Sequence, residues 1–98
     1  MAKFEWDENK NQKNQEKHKM SFEDASDIFN DPDRIIYGQV RDGEQRYRTV
    51  GKAYEAIISV IYTIRKLSIR IISARRAMKE ERRAYLAKKL SKKQEDEN

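Results

Sequence analysis

The feature that most constrains this fold is a series of four β-rich runs separated by very short connections in the middle of the chain. Valine, isoleucine, threonine and tyrosine are concentrated in residues 34–40, 46–52, 56–65 and 67–75. An Asp-Gly pair at residues 42–43 is typical of a two-residue hairpin, and Lys66 with its neighbours marks a second tight turn. Because such short connections join antiparallel neighbours, the sequence predicts an antiparallel meander.

Two helices are predicted before this region. Residues 3–6 alternate polar and apolar side chains as in a short strand, and Asp7 is placed to cap a polar helix over residues 8–19. Ser21 and Asp24 approximate the capping box of a second, amphipathic helix, which the following Asn-Asp-Pro-Asp segment ends. The N-terminal part of the chain is therefore helical in this prediction, and the class is α+β.

One helix is predicted after the β-rich region. From Ala77 onwards the sequence has a loose apolar stripe at helical spacing, formed by Met78, Tyr85, Leu86 and Leu90. We interpret this stripe as a surface that docks on the sheet or on a partner, because no other feature of the sequence indicates a cofactor site. We expect a single domain over residues 1–90, followed by a charged, disordered tail over residues 91–98.

The composition excludes several classes of protein. A chain of 98 residues with no cysteine and one histidine, His18, is one small domain without disulfides, thiolate metal sites or two-histidine motifs. We expect neither a metal nor another cofactor. The longest apolar run, residues 56–64, is too short to cross a bilayer, and no signal-peptide pattern is visible, so we expect a cytoplasmic protein without a membrane partner.

Charge is divided unequally along the chain. Residues 1–33 carry five Lys/Arg and nine Asp/Glu, whereas residues 34–93 carry seventeen and five, within a formal net charge of +5. Such a basic half attracts polyanions, and nucleic acid is the obvious candidate. The alternative is that the basic half pairs with the acidic half or is simply solvated.

Arginines on the last two β-rich runs form the constellation with the clearest chemical use. Strict alternation places Ser73 and Arg75 on one face of their strand and Arg70 on the other, while Arg65 and Arg70 flank the turn. Guanidinium groups suit phosphodiester chemistry because their fixed charge and planar donors match phosphate oxygens. Tyr62 is placed to donate a hydrogen bond or stack on a base. The alternative is that the arginines form surface ion pairs, with Glu44, Glu80 and Glu81 as the available carboxylates.

The chain contains a set of short motifs that together resemble the pattern of a known protein family. The set comprises F-E-W-D at residues 4–7, Asn14, K-H at 17–18, S-F-E-D-A at 21–25, G-E-x-R-Y at 43–47, Val50-Gly51, Y-T-x-R at 62–65, R-I-I-S-A-R at 70–75, and Ala77, Glu81 and Tyr85. In order and spacing these residues resemble the BrnT family of type II toxins. The resemblance implies a RelE-like fold, ribonuclease activity without a metal, and neutralisation by a BrnA-like ribbon-helix-helix antitoxin. It also implies a two-plus-two complex that contacts operator DNA only through the antitoxin.

The resemblance and the arginine pattern together give a hypothesis for the site, an endoribonuclease that uses the ribose 2′-hydroxyl as nucleophile. The predicted catalytic residues are Arg65, Arg70, Arg75, Tyr62 and Glu44, with the three arginines clamping one phosphate and Glu44 or Glu81 accepting a proton. The predicted substrate-binding residues are Arg46, Ser73, His18 and Glu81. Two alternatives remain open, a non-catalytic module that binds the antitoxin and an RNA-binding module. A histidine in the position of His18 more often has a structural role, such as bonding a helix end.

The chain departs from the family pattern at Lys19, where glycine is usual. Because a left-handed helix end favours glycine, this lysine predicts a longer first helix. Lysines after Leu86 are interpreted as a solvated helix end or as contacts to an RNA backbone.

Overall fold

Alternating β-branched residues and well-placed caps give an α+β domain in the computed structural model, which describes the backbone of residues 3–97 and side chains up to residue 93. The α+β class is confirmed. In chain order the elements are β1 (Lys3–Glu5), α1 (Glu8–His18), α2 (Phe22–Ala25), a 3₁₀ helix (Ser26–Asn30), β2 (Ile35–Arg41), β3 (Glu44–Ala53), β4 (Ala56–Arg65), β5 (Ser68–Arg76) and α3 (Lys79–Glu97).

The five strands form one sheet in the order β1-β5-β4-β3-β2. Strands β2 to β5 are antiparallel neighbours, as the short connections predict, whereas β1 pairs in parallel with β5. The short strand at the N-terminus is confirmed, but its parallel pairing is not predicted by the sequence, because the partner residues lie more than sixty positions away, at Ser68–Arg70. Strand β2 is therefore one edge of the sheet and β1 is the other.

A register shift in β5 changes which side chains share a face. Ile61 pairs with Ser73 but Tyr62 pairs with Ile71, so Ile72 is an extra residue in the strand. Strict alternation separates Arg70 from Arg75, and that expectation is wrong because the bulge reverses the alternation between them. Residues paired across antiparallel strands share a face, so Arg70 and Arg75 lie on the same one.

The helices before the sheet cover one face, called the core face here. Buried side chains on this side come from α2, the 3₁₀ helix, β4 and β5 and include Phe22, Ile28, Ile58, Val60, Tyr62, Ile71 and Ala74. The opposite face, called the open face, is covered by α3 only at one end, where Tyr85 packs against Val50 and Ala77. Apart from Ile61, the rest of the open face near the arginines carries polar side chains.

Two buried asparagines attach the polar helix α1 to the rest of the domain. Asn11 accepts a hydrogen bond from the backbone N–H of Phe22 (2.8 Å), and Asn14 accepts one from Ala74 (3.1 Å) while donating to the Met20 carbonyl (2.9 Å). A helix with so few apolar residues gains little from burial, so these bonds determine where it docks.

The predicted helix caps are confirmed, and the predicted helix end is not. The Asp7 carboxylate accepts from the Lys10 N–H, and the Ser21 hydroxyl accepts from the Asp24 N–H. Helix α1 nevertheless ends at His18, and Lys19 adopts the left-handed conformation at φ 56°. The lysine does not lengthen the helix.

Helix α3 is anchored by Tyr85, which is buried and donates to the Asp31 carboxylate at 2.6 Å. The stripe proposed from the sequence is thus divided, because Tyr85 is buried against Val50 and Ala77 while Met78, Leu86 and Leu90 are exposed. The helix continues to Glu97, and the separation of a domain from a tail at residue 90 stays a prediction. Among the described residues, no helix has the length and apolarity needed to cross a membrane.

Candidate functional site

The open face carries a row of residues across four strands. Tyr37 on β2 opposes Arg48 on β3, Arg48 opposes Ile61 on β4, and Ile61 opposes Ser73 on β5. A neighbouring row includes Ser59 opposite Arg75. These registers place Arg48 and Arg75 on one surface, next to the beginning of α3.

Arg48, Arg75, Ser59 and Glu81 form a connected group, called the lower cluster. Arg75 makes two contacts with the Glu81 carboxylate, at 2.8 Å and 3.2 Å. Arg48 donates to the Ser59 hydroxyl at 2.9 Å and lies 3.6 Å from the same carboxylate. Two guanidinium groups therefore share one carboxylate, with about a quarter of each arginine side chain still exposed.

Helix α3 positions Glu81 at the centre of this cluster. Its carboxylate also accepts from the Met78 N–H at 2.7 Å, an interaction typical of the third residue of a capped helix. Burial acts to raise the pKa of Glu81, but the bonds from Arg75 and Met78 and the charge of Arg48 lower it on balance. The carboxylate is held ionised as a partner for the two arginines.

A second group, called the upper cluster, consists of Glu44, Arg46, Arg70 and Glu5. Arg46 lies 3.6 Å from Glu44, and Arg70 lies 3.8 Å from Glu5, both longer contacts than the Arg75–Glu81 pair. The Nε atom of Arg46 is buried without a hydrogen-bond partner in the described structure. The upper arginines are therefore less tightly held by protein carboxylates than Arg75 is.

The two clusters are separated along the strands. Arg70 opposes Thr63 and Arg75 opposes Ser59, so the two arginines are four residues of β4 apart, or about 13 Å. Arg65 lies beyond Arg70, exposed at the turn. The structure therefore places the three predicted clamp residues on one face but does not bring them to a single point.

Two predicted site residues lie away from the open face. Tyr62 is buried on the core face, where its ring stacks on Tyr47 at 5.3 Å and meets Phe29 edge-on at 4.9 Å. Burial raises the pKa of the Tyr62 hydroxyl above its usual value of 10.0, although the charge of Arg34 acts in the opposite direction. Its position inside the core removes it from contact with a ligand on the open face.

His18 lies at the end of α1, beyond the β5 side of the sheet. It lines a shallow depression of about 210 Å³ together with Ser73, Ile72 and three lysines of α1. The structure thus brings two predicted substrate-binding residues, His18 and Ser73, to one place. That place is beside the sheet, and His18 is not part of either arginine cluster.

Arg48 and Ser59 are site residues that the sequence analysis misses. Arg48 stands two positions after Arg46, so simple alternation along residues 46–52 places both on one face and could have identified it. Ser59 has no comparable signal, because its role depends on the register between β3 and β4. Among the side chains that the structure describes, those of residues 3–93, no group of three His, Cys, Asp or Glu could hold a metal ion.

The fold and the site define a class, a small basic α+β protein with arginines and carboxylates clustered on one open sheet face. The model of the BrnT family, the ribonuclease toxins of type II toxin–antitoxin systems, matches residues 6–81. The match covers most of the chain, and the chain belongs to this family. A comparison with curated proteins finds no match. The matched range ends at Glu81 and so includes the whole lower cluster and most of the upper one.

Proposed function

We propose that this protein is a metal-independent endoribonuclease that binds RNA across the open face. The observation that carries the proposal is the lower cluster, in which Arg48 and Arg75 are held side by side by Glu81. Two fixed guanidinium groups can neutralise the charge that grows on a phosphate during cleavage, which is the task a metal performs elsewhere. Family membership supplies the substrate class.

In the proposed reaction the ribose 2′-oxygen attacks the adjacent phosphorus, and the bond from phosphorus to the 5′-oxygen breaks. The 2′-hydroxyl proton passes to a carboxylate, and the leaving oxygen takes a proton from water. Glu81 lies beside both arginines of the lower cluster and is the carboxylate within reach of a ribose bound there, whereas Glu44 stands four residues of β3 from Arg48, or about 13 Å, beside the upper cluster. We therefore give Glu81 the role of proton acceptor as well as that of positioning the two arginines, and Glu44 would be the acceptor if the scissile phosphate lies at the upper cluster.

The upper cluster extends the proposed binding surface. Arg46 and Arg70 would contact a second phosphate of the same strand, with Arg65 at the exposed end of the path and Ser73 between the clusters. His18 would contact the RNA only if the strand leaves the face over β5, where the lysines of α1 line the neighbouring depression.

We further propose that a BrnA-like ribbon-helix-helix antitoxin neutralises the protein in a two-plus-two complex, and that the fold is RelE-like. A type II toxin has an antitoxin partner by definition of the system. The exposed apolar side chains of Leu86 and Leu90 stand one turn apart on α3 and support a contact there. Operator DNA would be contacted only through the antitoxin.

Cleavage in the presence of a chelator tests the proposed reaction. Purified protein is incubated with a single-stranded RNA, the matching DNA and 2′-O-methyl RNA, all with excess EDTA. We expect cleavage of the RNA alone, with a 2′,3′-cyclic phosphate or 3′-phosphate product. The double variant Arg70→Ala/Arg75→Ala should lose activity, while Lys19→Gln, which removes a charge between α1 and α2, should keep it. Equal cleavage by the wild type and the double variant would remove Arg70 and Arg75 from the mechanism.

One observation favours a second function, that of a non-catalytic module that binds the antitoxin. Arg75 is already neutralised by two contacts to Glu81, as in a structural ion pair. Expression without the antitoxin distinguishes the two functions. Growth arrest that disappears in the Arg70→Ala/Arg75→Ala variant supports the enzyme, and harmless expression of the wild type supports the module.

A further inference from the structure

An exposed tyrosine stands beside the lower cluster. Tyr37 directly opposes Arg48 across the β2–β3 pair and shares the open face with it. The Cβ atoms of opposed residues in antiparallel strands are roughly 5 Å apart. The phenol ring is therefore a near neighbour of a guanidinium group to which we assign a phosphate.

The Tyr37 ring is available to a ligand. Its residue is 43% exposed, and it stands on the edge strand of the sheet. The guanidinium of Arg48 is directed away from it, towards Ser59 and Glu81 on the β4 and α3 side. The space next to the ring is thus not filled by the arginine that opposes it.

The other tyrosines are used elsewhere, and all five lie within the described part of the chain. Tyr47 and Tyr62 stack on each other in the core, and Tyr85 is buried against Asp31. Tyr54 is 65% exposed but lies at the β3–β4 turn, on a depression lined by Asp27 and Asp31. Tyr37 is the tyrosine that the fold presents beside the arginines.

We infer that Tyr37 is a stacking platform for a nucleobase of single-stranded RNA whose adjoining phosphate is bound by Arg48 and Arg75. This inference rests on the proposed function and adds to it a subsite for a base, without preference for any one base. Stacking on an aromatic ring tolerates every base, because each has a π face. It fills the role that the sequence analysis gave to Tyr62, which is buried on the other side of the sheet.

Binding of a non-cleavable RNA tests the subsite. The probe is a fluorescein-labelled 2′-O-methyl RNA, measured by fluorescence anisotropy with the full chain. Stacking is worth roughly 1–3 kcal/mol per base, so Tyr37→Ala should weaken binding by about 5- to 150-fold. Tyr37→Phe and Tyr37→Trp should bind like the wild type because they keep the ring. Tyr54→Ala, which removes an exposed tyrosine far from the clusters, should have no effect.

Two further results separate stacking from other roles. The dependence of affinity on salt should be the same in Tyr37→Ala and in the wild type, because stacking releases no counterions. A 2-aminopurine base placed in the RNA should lose its fluorescence quenching when Tyr37 is replaced by alanine.

The possible failures are distinguishable. The stacking subsite is overturned if Tyr37→Ala binds RNA as tightly as the wild type. It is also overturned if Tyr37→Phe loses as much affinity as Tyr37→Ala. In both cases the ribonuclease proposal stands as long as the wild type cleaves RNA. A wild type that neither binds nor cleaves RNA overturns both.

Discussion

Single residues in unfavourable backbone conformations mark places where this chain can be stabilised. Lys19, Asp42, Tyr54 and Lys66 all have φ between 52° and 56°. The left-handed conformation costs an ordinary L-residue roughly 1 kcal/mol, while glycine adopts it freely. At Lys19 the backbone N–H donates to the Gln15 carbonyl and ends α1. The left-handed conformation is therefore part of the C-terminal cap of this helix.

We expect Lys19→Gly to raise the free energy of unfolding by up to about 1 kcal/mol. Urea unfolding followed by circular dichroism measures the change. The matched control is Lys17→Gly, two residues earlier inside α1, which should lower the free energy of unfolding by about 1 kcal/mol. If both glycines destabilise the protein equally, the left-handed end of α1 is not a source of strain.

Asp31 connects the 3₁₀ segment to β3 and α3. Burial acts to raise the pKa of its carboxyl, but hydrogen bonds from the Lys52 N–H, the Tyr85 hydroxyl and the Asp33 N–H lower it below the usual 3.8. A carboxyl whose pKa is lower in the folded protein stabilises the fold at pH values above its unfolded pKa. That stabilisation is lost as the pH falls through the folded pKa.

We therefore expect wild type and Asp31→Asn to differ in stability by a constant amount above about pH 5 and to converge as the pH falls below about 4. Thermal unfolding between pH 7 and pH 2.5 measures the difference. Asp24→Asn, which replaces an exposed carboxylate of α2, is measured alongside as the control. A difference that persists unchanged to pH 2.5 would mean that Asp31 acts by shape and not by charge.

At the scale of elements, local patterns predict the strands well and their partners less well. The four β-rich runs match β2 to β5 within about two residues because side-chain alternation is a local property. The parallel pairing of β1 and the bulge at Ile72 depend on contacts across the sheet, which alternation cannot show. The bulge shapes the site, because it brings Arg70 to the face of Arg75 and away from that of Tyr62, while the β2–β3 register places Tyr37 beside Arg48.

The 3₁₀ helix packs closely on β3 at Gly51. A Cβ atom there would lie 2.8 Å from Cβ of Arg34, 3.0 Å from Oδ2 of Asp31 and 3.2 Å from Cγ1 of Ile28. The side chain of Asp31 is short and that of Ile28 is stiff, so neither can easily move aside. An added methyl group therefore forces this segment away from the strand. The glycine is needed for this close approach of two elements.

We expect Gly51→Ala to lower the free energy of unfolding by about 1–3 kcal/mol, as overpacked cores do. Gly38→Ala on β2 is the matched control, because its added Cβ meets only the flexible end of Gln45 at 3.3 Å. Urea unfolding of both variants measures the contrast. Similar stability of Gly51→Ala and Gly38→Ala would show that the 3₁₀ helix can shift without cost.

At the scale of the whole molecule, part of the basic charge in the second half of the chain serves the fold. Lys92 contacts Asp33 at 3.0 Å, Lys88 donates to the Arg34 carbonyl at 3.3 Å, and Arg70 faces Glu5. The Lys92 and Arg70 contacts join the basic half to the acidic half, as one of the two interpretations of the charge pattern predicts, whereas the Lys88 contact stays within the basic half. The arginines of the open face remain partly exposed, so the charge that attracts a polyanion is concentrated there.

The separation of the two clusters leads to a test of how RNA lies on the molecule. Each phosphate neutralised on single-stranded RNA contributes about 0.7 to the slope of log affinity against log salt. We expect Arg48→Gln and Arg70→Gln each to lower the slope for a 2′-O-methyl RNA by about 0.7, and the double variant by about 1.4. Their effects on affinity should add within about 0.5 kcal/mol, because sites more than 7–10 Å apart are usually independent.

Lys19→Gln provides the control for this titration, since it removes one positive charge outside the open face and should leave the slope unchanged. Additive losses would mean that the two clusters bind separate phosphates of one strand, which the register spacing of about 13 Å favours. Losses that are strongly non-additive, with the double variant no weaker than either single one, would mean that both arginines reach the same phosphate. In that case, Arg48 would have to leave Glu81 and Arg70 would have to leave Glu5 when the RNA binds, so that both side chains reach one phosphate.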